Sequence, residues 1–326
     1  MSRFLTIDRR IATFDVIMSI LGIHHVTSLA SDPQRNLEFY TGFLGLRLIK
    51  QTVNFDAPDV YHLYYGDEIG RPGTILTFFP FPDAARGKKG AGETSAVAFS
   101  VPVGAFKSWI ERLSRHGLPF LGPDARLGES VISFEDPDGM IVELIEDPRV
   151  NGPDFAIRRF HGITITHRDA GPTAALLTEG LGFAGMGSEG RRYRFLAGTG
   201  DEAGRIDIVV NPDAPLARQS AGSVHHVAWR VKDDDEQLQW RPKLQAAGAS
   251  PTKVVDRCYF HSIYFHEPGG VLFEIATDPP GFAIDETVQA LGTRLQLPQW
   301  LEPERALIER HLPPLALPAP AAKYTP

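Results

Sequence analysis

Two histidine pairs, His24-His25 and His225-His226, and one glutamate, Glu274, set in the apolar run VLFEIA are the residues of this 326-residue chain best suited to chemistry. A carboxylate on an apolar strand is costly to bury without a positive partner, so a cation beside Glu274 is expected. Two neutral imidazoles and one carboxylate make up the set that grips one face of a non-haem Fe(II) ion and leaves the other face open to substrate and O2. His25, His226 and Glu274 are therefore the candidate ligands. A structural zinc would want a closed four-ligand shell, and a single cysteine, Cys258, excludes both a thiolate cage and an intrachain disulfide.

Other polar residues fall near this set. Thr27 lies two residues after His25 and shares its face of a strand. His24 and His225 each precede a ligand, so strict alternation turns them to the opposite face unless the strands are irregular there. In DRCYFHSIYFHEPGG, Arg257 and Tyr264 differ in parity, and both reach the site only if Arg257 lies in the turn before the strand. An odd-length loop at 266–270 sets Tyr264 opposite Glu274, whereas an even one sets Ile263 there. The competing reading of Arg257 is a surface salt bridge with Asp256. The other histidines, His62, His116, His167, His266 and His311 among them, read as ordinary hydrogen-bonded groups.

The elements that must position these residues form an internal repeat. Four segments open alike, at 22–29, 94–101, 160–167 and 224–231, each a short β-branched or alternating run that reads as a strand. Helix-like stretches follow at 33–43, 103–115, 171–180 and 234–247. In the second, Phe106, Trp109, Ile110 and Leu113 form one stripe and His116-Gly117 end it. Gly-rich hairpins then close each unit, which predicts four tandem βαβββ modules in two cupped-sheet halves, an α+β fold. Aligned on those hairpins, Phe78, Glu143, Ile208 and Glu274 share one position; aligned on the opening strands, His25, Ala96, Gly162 and His226 share another. Only modules one and four, placed together, pool two histidines and a carboxylate. Modules two and three are left as the structural half, with Glu143 expected to pair with a module-three arginine.

Residues 1–20 read as an N-terminal extension, with Met18 as an alternative start; 21–149 hold modules one and two, 155–280 modules three and four, and 281–326 a C-terminal helix and tail. The Pro-containing stretch from Pro148 to Pro153 is the expected break, and the Pro- and Ala-rich tail from Pro313 should be extended.

Composition narrows the function classes. Hydrophobic residues are 43% and charged residues 22%, and no apolar run approaches the roughly 18–20 residues of a membrane span. The first residues carry charges through their apolar stretch, unlike a signal peptide, so a cytoplasmic location is expected. A net charge of −7 without a basic stripe argues against nucleic acid. Phosphate-binding loops, dinucleotide fingerprints and nucleophile elbows are missing.

The runs IHHVT, YHLYYGDEIGRPGTILTFFPF, VHHVAWRV, DRCYFHSIYF and EPGGVLFEIATDPPGF resemble the hydroquinone-type ring-cleaving dioxygenases of the vicinal-oxygen-chelate or glyoxalase superfamily, over roughly residues 20–310. The resemblance implies Fe(II) on His25, His226 and Glu274, with His24, Thr27, His225, Arg257 and Tyr264 around a small aromatic diol and O2. It also implies extradiol-type cleavage beside a hydroxyl-bearing carbon, and a homo-oligomer is the expected assembly. A glyoxalase-like isomerase or lyase would add a second carboxylate, where Phe78 stands. A small-aromatic-binding resistance protein would lack the complete triad.

Overall fold

The computed structural model describes residues 18–317, so most of the N-terminal extension and the end of the tail lie outside the described residues. Each of the four modules is a βαβββ unit. Module one runs through β1 (Ile23–Ala30), α1 (Pro33–Leu37, continued by a wider π turn over Glu38–Phe43), β2 (Arg47–Asn54), β3 (Ala57–Gly66) and β4 (Ile75–Pro80). Module two contains β5 (Glu93–Val101), α2 (Phe106–Arg115), β6 (Phe120–Arg126), β7 (Glu129–Glu135) and β8 (Ile141–Glu146). Module three contains β9 (Arg159–His167), α3 (Gly171–Ala175, with a π turn over Leu176–Gly180), β10 (Ala184–Glu189), β11 (Arg192–Ala197) and β12 (Gly204–Val210). Module four contains β13 (Val224–Val231), α4 (Asp234–Ala246), β14 (Val255–Asp256), β15 (Phe260–His266) and β16 (Leu272–Pro280).

Two eight-stranded curled sheets result, ordered β14-β15-β16-β13-β1-β4-β3-β2 and β10-β11-β12-β9-β5-β8-β7-β6. Modules four and one therefore build one half, and modules three and two the other. In each, the opening strands meet antiparallel at the centre, β1 with β13 and β5 with β9. Each closing strand pairs parallel with its own opening strand. This topology brings the first and last modules together although some 200 residues separate them.

Local chemistry explains the elements. The α2 stripe buries Phe106, Trp109 and Leu113. Gly117, at φ +65°, ends that helix in the left-handed turn that lets the Leu118 amide donate to the Leu113 carbonyl at 3.0 Å. Helix residues Leu37, Tyr40, Trp109, Leu177 and Trp240 join Val26, Val97, Ile163 and Val227 of the opening strands in one continuous core.

The chain from 281 onward straps module one. Arg47 donates to the carbonyls of Val288 and Gln289, Tyr61 donates to the Pro313 carbonyl at 3.0 Å, and α5 (Arg305–His311) buries Ile308. Lys50, fully buried on β2, meets Asp285 and Glu286, each at 2.5 Å. Among the described residues no helix is long and apolar enough to cross a membrane.

Candidate metal centre and its pocket

Three adjacent strands at the centre of the first sheet carry the candidate ligands: His25 on β1, His226 on β13 and Glu274 on β16. Their exposures are 2%, 5% and 0%. The Nε2 atoms of His25 and His226 are 3.2 Å apart, and Glu274 Oε2 lies 3.4 Å from the first and 3.0 Å from the second. Three ligand atoms held about 2.1 Å from one ion at right angles would stand about 3 Å from one another, so this triangle has the size of an octahedral face.

Polarity gives an independent test of fit. Glu274 Oε2 is fully buried and receives no well-directed hydrogen bond, while its partner Oε1 accepts from Ser262 Oγ at 2.5 Å. Burial alone pushes the Glu274 carboxyl up, and interaction with the adjoining His25 and His226 overcomes this and holds it well below the usual range. A cation between the three groups is what these donors fit.

The histidine pairs are built by two β-bulges. Between β1 and β13 the register slips at His24, between Ile23 and His25, and again at His225, between His226 and Val224, so the first histidine of each pair is the extra residue. The slips keep each first ring beside its neighbour: the Nδ1 atoms are 2.9 Å apart in His24-His25 and 2.8 Å apart in His225-His226. That contact occupies the Nδ1 side of both candidate ligands and leaves Nε2 for the centre. The two first histidines then part ways. His225 lines the pocket, contrary to strict alternation, whereas His24 is buried against Phe260 behind His25. Burial, reinforced by His226, pulls His225 down to about 4.

A cavity of about 290 Å³ opens over this centre. Phe79, Phe81, Phe260 and Leu272 supply apolar walls, and His62, Tyr64, Arg257 and Tyr264 supply polar ones. The β15–β16 hairpin pairs Tyr264 directly with Glu274, as the odd-length loop requires. Arg257 lies in the turn between β14 and β15 and donates from Nε to the Tyr264 hydroxyl at 3.0 Å. Its Nη1 reaches Asp56 at 3.3 Å; Asp256 instead accepts from the Cys258 amide. Burial, with the negative field of Glu274, raises the Tyr264 phenol above its ordinary range, so it stays protonated. Thr27 is wholly buried and accepts from Thr77 Oγ1 at 2.8 Å.

Three expectations are corrected. The residue of β4 equivalent to Glu274 is Thr77, which pairs with Thr27 as Glu274 pairs with Ala228; Phe78 faces the other way, into the core against Tyr40. In module three the equivalent is Asp207, opposite Thr164, and not Ile208. Glu143 pairs with Arg126 of its own module at 2.8 Å, not with a module-three arginine. The second half-barrel thus fills its centre with ion pairs: Arg126 with Glu143, Arg192 and Arg194 with Asp207, and Arg194, Arg205 and His161 with Glu129. Only about 10 Å³ of open space remains there.

A larger cleft of about 520 Å³ sits at the seam of the two halves, lined by Arg71, Arg149, Arg158, Arg159 and Arg230. Most of these arginines are spent on Asp67, Asp147 and Asp278. The chemistry-bearing donors lie in the smaller cavity. Ser262, His62, Tyr64 and Thr77 belong to that site and were not singled out from sequence. Ser262 carried a signal, since it shares Tyr264's parity in FHSIYF.

Residues 22–144 and 159–275 match the Glyoxalase/Bleomycin resistance protein/Dioxygenase superfamily. The chain belongs to that superfamily. It is 44% identical over 303 residues to "Putative ring-cleaving dioxygenase MhqO" of Bacillus subtilis, covering 90% of this chain and 96% of the relative. It is 34% identical over 299 residues to the chlorohydroquinone/hydroquinone 1,2-dioxygenase of Sphingobium indicum, covering 86% and 92%. A crystal structure of a "putative dioxygenase" from B. subtilis, 43% identical, superposes with a TM-score of 0.88 over 92% of this chain and 99% of that one. Glyoxalase I of Zea mays, 14% identical with a TM-score of 0.62 over 79% and 92%, shares the fold alone.

Proposed function

We propose that this protein is a non-haem Fe(II) dioxygenase that cleaves a hydroquinone-type ring in the extradiol manner, with His25, His226 and Glu274 as its metal ligands. The observation that carries the reading is the buried triangle of His25 Nε2, His226 Nε2 and Glu274 Oε2, whose edges of 3.0 to 3.4 Å suit one ion. Thr77 at the fourth equivalent position supplies no second carboxylate, which separates this site from the isomerase reading. The similarity to a relative named for chlorohydroquinone and hydroquinone supports the substrate class. A cytoplasmic setting belongs to the same proposal, supported by a lone cysteine that leaves no disulfide to form within the chain.

Bound at these ligands, Fe(II) would supply open coordination positions and reducing electrons for a phenolate and O2. The chain's own residues do the rest. Phe79, Phe260 and Leu272 exclude water and confine a flat ring above the three ligands. Because Tyr264 oxygen already accepts from Arg257 Nε, its proton is free to meet oxyanion charge, and the guanidinium adds its own field at the same place. His225 is neutral near pH 7 and lines the cavity, so it is the group placed to take and return a proton. His24 orients His25, and Thr27 fixes the polar floor beside them.

Oxygen-electrode assays of anaerobically loaded protein over hydroquinones, catechols and acid-bearing hydroquinones test this. Hydroquinones should show the highest kcat/KM. Faster turnover of catechols would overturn the substrate class, and no O2 uptake with any diol would overturn the reaction.

A further inference from the structure

We infer that the Tyr64 phenol oxygen receives the substrate hydroxyl that is not on the metal, and that His62 holds it in place for this. The inference rests on the hydroquinone reading above.

Tyr64 lies on β3, on the opposite flank of the cup from Tyr264 and Arg257. One row of paired residues crosses the sheet from the candidate ligand to it: His226 opposite Thr27, Thr27 opposite Thr77, Thr77 opposite Tyr64. Tyr64 stands two strands from β1, which carries His25, and lines the same cavity as the ligands. The row is hydrogen-bonded from end to end. Tyr64 Oη is 2.8 Å from His62 Nδ1, His62 Nε2 is 2.8 Å from Thr77 Oγ1, and Thr77 Oγ1 donates to Thr27 Oγ1 at 2.8 Å.

Proton counting gives this chain a direction. With the Thr77 hydroxyl donating to Thr27, Thr77 accepts toward His62, and we assign the ring proton of His62 to Nε2. In that tautomer His62 Nδ1 accepts a hydrogen bond from the Tyr64 hydroxyl. The Tyr64 oxygen, its proton directed at His62, still holds acceptor capacity, in a side chain that is 1% exposed and lines the cavity. Its ring is gripped by His62 at 4.0 Å and Phe282 at 5.2 Å, which stops it from turning away. The opposite flank is rich in donors: Arg257 can only donate, and Tyr264 oxygen is occupied by Arg257.

A hydroquinone bound through one oxygen brings a second O–H that must give its proton to something or lose a hydrogen bond on leaving water. Tyr64 is the buried acceptor for it. A catechol chelating through both oxygens brings no such proton. His62 is a positioning residue here, since both its nitrogens are engaged within the row.

The test is anaerobic calorimetry on the Fe(II)-loaded protein with two probes, hydroquinone and 4-fluorophenol; the second has a similar size but no distal proton. The wild type should prefer hydroquinone by roughly tenfold. Tyr64→Phe should bring the two affinities within about twofold while leaving 4-fluorophenol binding unchanged. His62→Phe should do the same, and the double variant should lose nothing further. A wild-type preference that survives Tyr64→Phe overturns the role of Tyr64 and leaves the hydroquinone reading standing. A wild type without that preference, turning over catechols faster, overturns both.

Discussion

Replacing Ser262 by alanine tests how the candidate metal centre is held. Ser262 sits on β15 and spends its hydroxyl on Glu274 Oε1 at 2.5 Å, with both residues wholly buried. Glu274 Oε2, the atom facing the two imidazoles, is fixed only as long as Oε1 is anchored. A hydrogen bond from a neutral donor to a buried charge contributes about 1.5–3 kcal/mol, equivalent to roughly 10- to 150-fold in binding. Loss of a group that orients a ligand typically weakens metal affinity by about 10- to 100-fold, so two independent lines give the same range. The alanine changes no strand pairing, because Ser262 stands opposite Ala276. Anaerobic Fe(II) titration against a competing chelator should show that loss, with an unchanged far-ultraviolet spectrum, and Ser262→Thr should restore most of the affinity. An affinity within threefold of wild type, in a folded Ser262→Ala protein, would refute the argument that this hydroxyl holds the carboxylate.

Tyr264→Phe should lower kcat by about 100-fold or more with little change in Fe(II) content, read by steady-state O2 uptake and metal analysis, because the phenol proton is aimed at developing charge. Asp207→Ala should cost about 3 kcal/mol in denaturant unfolding and leave the metal content intact, since it removes the carboxylate partner of Arg192 and one of the two carboxylates that hold Arg194 in the other half-barrel. Burial raises Asp136 to about 6 despite its hydrogen bond from Tyr40. A carboxyl whose folded value is raised disfavours folding once ionised. The wild type should therefore lose up to about 3 kcal/mol relative to Asp136→Asn as pH rises from about 4 through 6, with no further divergence above, read by unfolding at each pH.

The modular plan was legible because each module repeats the same strand opening and Gly-rich closing turn. The candidate triad was legible because two histidines recur at one repeat position and Glu274 interrupts an apolar strand. What escaped depended on register. Alternation placed His24 and His225 away from the site; the β-bulge at His225 defeats that inference for His225, which lines the cavity, and leaves only a faint mark in the residues. A one-residue difference in the hairpins put Phe78 where Thr77 stands, and Ile208 where Asp207 stands. His62 and Tyr64 were invisible as site residues because their place depends on β3 lying beside β4 in a sheet that curls back over β1. Glu143 looked like a cross-module ion pair until the β6–β7 hairpin brought Arg126 to it first.

The most direct test of the central claim is metal analysis of protein purified without oxygen. One Fe(II) per chain is predicted, and it should be lost on changing His25, His226 or Glu274 to alanine while the rest of the fold persists. Stoichiometric zinc that resists chelation, or iron that stays bound in all three variants, would contradict it.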